Sequence, residues 1–402
     1  MTVLTRYSAV LRGQGTAVPL VASVVGRLSL GMTGFGLLLL VRETTGSYAS
    51  AGLVAGTYAL SFGVFGPSRA RAADRKGPVR ALLVTAVLYP LALALLVVLA
   101  AAGAPTWWLL VPAALGGAAV PPHGPVMRAL WGQLLEGPAR ATAYSLESVV
   151  VELCFVLGPL LTALLASTVH PGAAVLVAGA LGLVGALWLA STPAVRAVHP
   201  HPEAGTGSRA GPLRSAAVRA LLLTVAGIGL GFGAIEVALP AYVESRGGQP
   251  AQAGVLIAVW SFGSIVGGLV YGGLHLTIPH RRQLPVLVGA LAVGSALPLL
   301  AGGPVAMGLA LFLYGLTIAP FSACNSVLLG EAAPAGTTTE AFAWNSSMIF
   351  GGAALGSAVA GVLVERSGAV AALAVTAAAG LLALAASVSG LLRLRGSEPS
   401  RT

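Results

Sequence analysis

Five ionisable residues lie inside long apolar runs of a sequence that otherwise carries few charges. They are Arg27, His123, Glu147, Glu152 and Glu236. A charged side chain surrounded by hydrocarbon is costly, so residues of this kind usually pair with one another or line a wet cavity. Because a carboxylic acid held at such a depth can take up and release a proton as its surroundings change, the set predicts proton-binding chemistry inside the apolar part of the molecule.

Glu147 and Glu152 are the first candidates for a proton carrier. They are five residues apart, which separates them by about 140° around a helix, so they face different neighbours. The two halves of the sequence repeat each other at a shift of 198 residues, as described below, and Asn345 is then equivalent to Glu147. A polar residue at both equivalent positions favours Glu147 as the proton carrier, with Arg27 tuning its proton affinity. Glu152 is estimated to lie nearer to the depth of Arg27 in the membrane. Glu236 is the next candidate. In the structural alternative, Arg27 and an acid join two helices and Asn345 makes an interhelical hydrogen bond.

The composition identifies the environment of these residues. Hydrophobic residues make up 56% of the chain and charged residues 8%, which indicates a membrane protein rather than a soluble one. The net charge of +10 does not point to nucleic acid, because the basic residues lie between apolar runs and not on one polar face. We also expect no enzyme, cofactor or metal site, since the only aspartate lies in a charged loop and Cys154 and Cys324 have no partner spacing.

Twelve apolar runs are long enough to cross a membrane, which needs about 20 residues. We place them at residues 17–41, 47–69, 79–102, 106–131, 141–167, 172–192, 216–241, 252–274, 284–301, 304–329, 340–364 and 369–392. The segment 193–215 is rich in Pro, Gly and Ser and is predicted to be a linker. The sequence thus predicts an all-α membrane protein with an N-terminal six-helix bundle in 1–192, a cytoplasmic linker in 193–215 and a C-terminal six-helix bundle in 216–402.

The distribution of basic residues predicts the orientation. Lys and Arg are retained on the cytoplasmic side in short loops, and with both termini cytoplasmic most of the 22 basic residues fall on that side. Only Arg42, Arg246 and Arg366 fall outside. We therefore expect a multi-pass protein of the cell membrane with both termini and the linker in the cytoplasm.

The two halves repeat each other. The fourth and fifth spans match the tenth and eleventh at a shift of 198 residues, which pairs Gly117, Pro122, Gly132, Ala143, Ser148 and Gly158 with Gly315, Pro320, Gly330, Ala341, Ser346 and Gly356. The stretch "SAGLVAGTYALSFG", which ends at Gly63, also matches "QAGVLIAVWSFG", which ends at Gly263, if a two-residue gap is allowed. Duplicated bundles of this kind are common in transporters.

The stretch "ARAADRKGPVR", residues 70–80, carries the sharpest motif. Asp74, Arg75, Gly77 and Arg80 match the loop that follows the second helix in the major facilitator superfamily, and the sequence resembles this family over essentially its whole length. The resemblance implies that these four residues form a conformational gate, with Asp74 docking on the start of the eleventh span. In the alternative, Asp74 only pairs with a neighbouring arginine in water. The second copy of the loop has Leu274 where the aspartate would fall.

The resemblance also implies a function. Members of the family are secondary transporters that work by alternating access, and "ELCFVLGPLLTALL" keeps the Gly158-Pro159 pair of the drug/proton antiporters. We therefore expect proton-coupled efflux of a small amphipathic organic molecule by a monomer in contact with membrane lipids. Proton-coupled uptake of a nutrient and a non-transporting receptor are the alternatives. The aromatic candidates for the cavity are Tyr58, Trp131, Trp260, Tyr314 and Trp344.

Overall fold

The computed structural model of the chain describes residues 15–135, 137–198, 212–273, 278–334 and 338–395, which form helices joined by short turns. The first half contains α1 (Ala17–Thr45), α2 (Tyr48–Lys76), α3 (Pro78–Ala101), α4 (Thr106–Ala118), α5 (His123–Leu134), α6 (Gly137–Thr168), α7 (Pro171–Ser191) and α8 (Pro193–Arg196). The second half contains α9 (Ala216–Ser245), α10 (Ala253–Gly273), α11 (His280–Ala296), α12 (Pro304–Gly315), α13 (Ile318–Ala332), α14 (Thr338–Ser367) and α15 (Ala369–Arg395). Short 3₁₀ turns occupy Pro212–Arg214, Pro250–Gln252 and Leu297–Leu300.

Eleven helical segments of the described ranges are long and apolar enough to cross a membrane by themselves. The fourth predicted span is the exception, because it is broken between α4 and α5. Pro121 and Pro122 supply no backbone N–H donor there, so a continuous helix would lose its hydrogen bonds. Arg69 of α2 compensates, since its Nη1 donates to the carbonyls of Gly117 at 2.8 Å and Ala118 at 3.0 Å. With α4 and α5 as one broken span, the predicted twelve-helix fold is confirmed.

The packing of equivalent glycines shows the pseudo-symmetry of the halves. A Cβ atom at Gly117 would lie 2.2 Å from the carbonyl oxygen of Tyr58, and one at Gly315 would lie 2.1 Å from that of Trp260. The tenth span also breaks at the equivalent level, between α12 and α13. Tyr58 and Trp260 are 202 residues apart, as are the first glycines of the two matched stretches. The equivalent contacts therefore follow one shift of 202 residues in this segment, without the gap that the sequence alignment used.

The two halves meet along two pairs of helices. The helix α2 packs against α14, and α6 packs against α10. Side chains that point away from these contacts are often apolar and exposed, such as Leu91 and Val98 of α3, as expected for helices surrounded by lipid. The interior of each half thus faces the other half, and buried polar groups of α1, α5 and α6 lie within it.

Candidate functional site

A buried ion pair forms the centre of the site. Arg27 of α1 donates from Nη2 to Oε2 of Glu147 at 2.7 Å. The indole Nε1 of Trp131 donates to the other carboxylate oxygen of Glu147 at 3.2 Å. All three side chains are buried, with 6% of Arg27 and 4% of Glu147 exposed. Because both carboxylate oxygens accept a hydrogen bond from a donor, the charge of Glu147 is well compensated.

The positions of Arg27 and Glu147 along their helices explain why the two side chains meet. Arg27 is ten residues beyond the first residue of α1, and Glu147 is ten residues beyond the first residue of α6, so both lie roughly 15 Å along their helix. We predicted a start at residue 141 for this span, which placed Glu152 nearer to the depth of Arg27. This estimate was wrong because α6 begins four residues earlier, at Gly137.

Glycines bring α1 close to its partners. A Cβ atom at Gly31 would lie 2.2 Å from the carbonyl oxygen of Cys154, and one at Gly26 would lie 2.1 Å from Nε2 of His123. The backbones of α1 and α6 therefore touch beside the ion pair, and the His123 ring packs directly on α1. His123 is buried at the first position of α5, immediately after the predicted proline break.

Several polar atoms of this site are left without a partner. Within the described ranges, the buried Nε and Nη1 atoms of Arg27, Nε2 of His123 and Oγ of Ser23 have no hydrogen-bond partner. A buried polar group without a partner costs free energy. The guanidinium therefore presents unused N–H donors, and binding of an acceptor there would remove this cost.

The other two predicted acids lie elsewhere. Glu152 is half-buried and accepts a long hydrogen bond, 3.4 Å, from Ser264 of α10, so it lies at the contact between the halves and not with Arg27. This agrees with the predicted angular separation of Glu147 and Glu152 around one helix. Glu236 is a partly buried residue of α9, and its role as a pathway residue stays a prediction.

The equivalent region of the second half contains an amide pair. Asn345, which sequence analysis selected, accepts a hydrogen bond at Oδ1 from Nδ2 of Asn325 at 3.0 Å. Oδ1 of Asn325 is buried and has no partner among the described residues. Sequence analysis missed Asn325, although an asparagine within an apolar run was itself a signal.

A second cluster, the closed end, joins the halves where α1 ends and α2 begins. Arg42 donates to Glu244 of α9 at 2.6 Å, and the hydroxyl of Tyr48 donates to the same carboxylate at 2.8 Å. Ser47 and the backbone N–H of Ala49 donate to Glu365 of α14. Sequence analysis did not anticipate this cluster, because no spacing identifies ion-pair partners about 200 residues apart.

The predicted gate residues lie at the opposite end. Gly77 separates α2 from α3 with a φ of +88°, a conformation that favours glycine. Arg80 is exposed in the first turn of α3. Asp74 and Arg75 fall in the last turn of α2, and their side chains lie outside the described part of the chain, as does the start of the predicted dock at Thr337. The gate stays a prediction.

Most of the aromatic candidates lie in the interior. Tyr58, Trp131, Trp260 and Tyr314 are buried, and the rings of Trp260 and Tyr314 lie 5.4 Å apart. Only Trp344 is partly exposed. The described residues contain no group of three His, Cys, Asp or Glu side chains that could hold a metal ion.

Comparisons with known proteins place the chain in a family. The model of the Major Facilitator Superfamily matches residues 20–348. No curated protein sequence matches the chain significantly. Among solved structures, a mutant of the nucleoside transporter NupG is 13% identical with a TM-score of 0.71, and the match covers 95% of this chain and 100% of that one.

Two further structures show the same fold. The POT family transporter PepTSo is 12% identical with a TM-score of 0.71, with 94% of this chain and 97% of that one covered. The human organic anion transporter MFSD10 (TETRAN) is 18% identical with a TM-score of 0.64, with 94% of this chain and 100% of that one covered. These identities show the fold alone, whereas the family model covers most of the sequence, and the chain belongs to the major facilitator superfamily.

Proposed function

We propose that the protein is a proton-coupled secondary transporter that carries a small amphipathic organic molecule across the cell membrane by alternating access. The observation that supports the coupling most directly is the buried pair of Arg27 and Glu147. An acid at this depth is a candidate proton carrier, because its affinity for a proton depends on whether the arginine stays beside it.

The pair gives Glu147 two states. While Glu147 is ionised, Arg27 and Trp131 hold both of its oxygens. When a proton binds, the charge that attracts the guanidinium is gone, and Arg27 is free to turn to another acceptor. Rocking of the halves would change access of water to the pair, so Glu147 could load a proton on one side and release it on the other.

The closed end supports an outer gate. Arg42 and Tyr48 of the first half bind Glu244 of the second half, and these residues fall on the external side in the predicted topology. We infer that the described conformation is closed to the outside. Opening it requires these contacts to separate, which is acceptable energetically because partly exposed ion pairs contribute little.

The direction of transport has two candidates. The Gly158-Pro159 pattern favours efflux in exchange for protons. The geometry favours uptake, because protonation of Glu147 frees Arg27, so that a solute bound by Arg27 moves together with the proton.

The test is a substrate screen in right-side-out and inverted vesicles with an imposed pH gradient. We expect at least one small organic solute to accumulate only when the gradient is present, and a protonophore to abolish this accumulation. Uptake predicts solute and proton moving the same way, and efflux predicts opposite directions. Gradient-independent binding without flux of any solute would instead support a receptor.

The orientation needs its own measurement. Cysteine labelling from outside is expected to succeed at Ser245→Cys and to fail at Ser208→Cys in the linker. The native cysteines Cys154 and Cys324 are buried, so they give little background. The reverse pattern would invert the topology.

A further inference from the structure

The guanidinium of Arg27 has more donors than its surroundings use. It carries five N–H groups in a planar fork, and within the described ranges Nη2 is the one nitrogen that has a partner, Glu147. Its Nε and Nη1 atoms are buried and have no partner among the described residues. Because the side chain is 94% buried, as its 6% exposure shows, these donors are not simply solvated at a surface.

We propose that Arg27 binds an anionic group of the transported solute, such as a carboxylate, and that each such group enters the site together with one proton on Glu147. This inference rests on the proposed function and names its substrate class. The planar fork suits carboxylate and phosphate groups, which accept two parallel N–H bonds. Nη2 carries one N–H on each two-donor edge of the fork, so its bond to Glu147 occupies one edge, and release of Glu147 leaves both edges to the anion.

The balance of charge links the anion to the proton. The ionised pair is neutral, so an added anion would leave one uncompensated negative charge in a buried site, which is costly. A proton taken from the aqueous phase by the Glu147 carboxylate restores neutrality. The protonated acid keeps its carbonyl oxygen for Trp131, and the guanidinium exchanges one carboxylate for another.

Two other titratable groups lie near the pair. From α5, His123 packs on Gly26, one residue before Arg27. From α6 itself, Cys154 lies 3.9 Å from the carbonyl oxygen of Val24. The described residues offer no second acid to Arg27, so the anion and Glu147 compete for the same cation.

The experiment measures anion binding to the purified full-length protein in detergent by thermal unfolding. The probes are benzoate, its neutral amide benzamide and inorganic phosphate, each titrated at acidic and at neutral pH. We expect benzoate to stabilise the protein more strongly at acidic pH, and benzamide to have no effect. A response to phosphate equal to that of benzoate would show that the site recognises the anion alone, which also supports the proposal.

Variants assign the effect to the pair. Glu147→Gln, which mimics the protonated acid, is expected to bind benzoate about tenfold more tightly at neutral pH and to lose the pH dependence. Arg27→Lys keeps the charge but lacks the fork, and should bind about tenfold more weakly. Glu331→Gln, the same change at an exposed acid of α13, is the matched control and should behave like the parent.

Two results would overturn the inference. One is equal stabilisation by benzoate and benzamide in both the parent and Glu147→Gln. The other is anion binding that both Glu147→Gln and Arg27→Lys leave unchanged. Gradient-driven transport of neutral solutes alone, without anion binding, would overturn the inference and leave the proposed function standing, whereas anion binding without flux would do the opposite.

Discussion

The two halves of the molecule use equivalent positions for different chemistry. In the first half, Glu147 forms a buried ion pair with Arg27. In the second half, the position 198 residues later is Asn345, which pairs with another amide, Asn325. The backbone scaffold is repeated, but among the described residues the first half has an acid at this position and the second half has an amide.

The difference shows that duplication preserved the packing and not the polar groups. Close contacts of Gly117 and Gly315 with their neighbouring helices are the same in both halves, because a side chain there would collide with backbone. Under the proposed function, a charge at this position in one half is sufficient for coupling.

Among the substitutions that test this difference between the halves, loss of Arg27 is expected to have the largest effect, which is a loss of stability. Arg27→Met leaves Glu147 buried without its cation, which costs about 3–5 kcal/mol of stability. The double variant Arg27→Met with Glu147→Leu removes both charges and should recover most of that loss. Thermal unfolding in detergent measures both. If the single variant is as stable as the parent, the ion pair is solvated and not buried as described.

Loss of the acid alone tests coupling. Glu147→Gln is expected to reduce pH-gradient-driven transport by at least about tenfold, because the amide binds no proton, while solute binding and exchange persist. Glu152→Gln, the same change on the face of α6 that meets α10, is the matched control and should retain driven transport. If both variants retain full driven transport, neither acid is essential and Glu236 becomes the next candidate.

The loop after α2 provides a smaller contrast between the halves, since Asp74 has Leu274 as its counterpart. Asp74→Asn is expected to slow transport about two- to fivefold by weakening a helix-terminus interaction. Labelling of a cysteine at Ser68, which is exposed in the same helix, should rise. The matched control is Leu274→Asn, which should change neither. Parental transport and labelling in Asp74→Asn would make this residue an ordinary solvated charge.

The amide pair should give the smallest effect. Asn345→Ala removes one interhelical hydrogen bond and is expected to cost about 0.6 kcal/mol, with driven transport preserved. Stability measurements and the vesicle assay check this. A loss of coupling as large as that of Glu147→Gln would show that the second half also takes part in proton transfer.

The sequence predicted the positions of the helices better than the contacts between residues of different helices. Apolar runs and prolines located the spans and the break before His123, because hydrophobic length and missing N–H donors act locally. The choice between Glu147 and Glu152 depended on where α6 begins, and an error of four residues moves a side chain by about 6 Å along the axis. The contact between Arg42 and Glu244 was missed because tertiary packing alone brings these two residues together, whereas Asn325 could have been selected as a polar residue within an apolar run.

The glycine contacts between the halves have a mechanical consequence. A Cβ atom at Gly52 of α2 would lie 2.3 Å from the carbonyl oxygen of Ser357, and one at Gly254 of α10 would lie 2.5 Å from that of Pro159. At both contacts the backbones of two helices pack directly on each other. Interdigitated side chains would instead have to separate before the helices could slide. A methyl group added at either glycine would collide with the facing carbonyl oxygen and hold the two helices apart, which would hinder the rocking of the halves that we propose for transport.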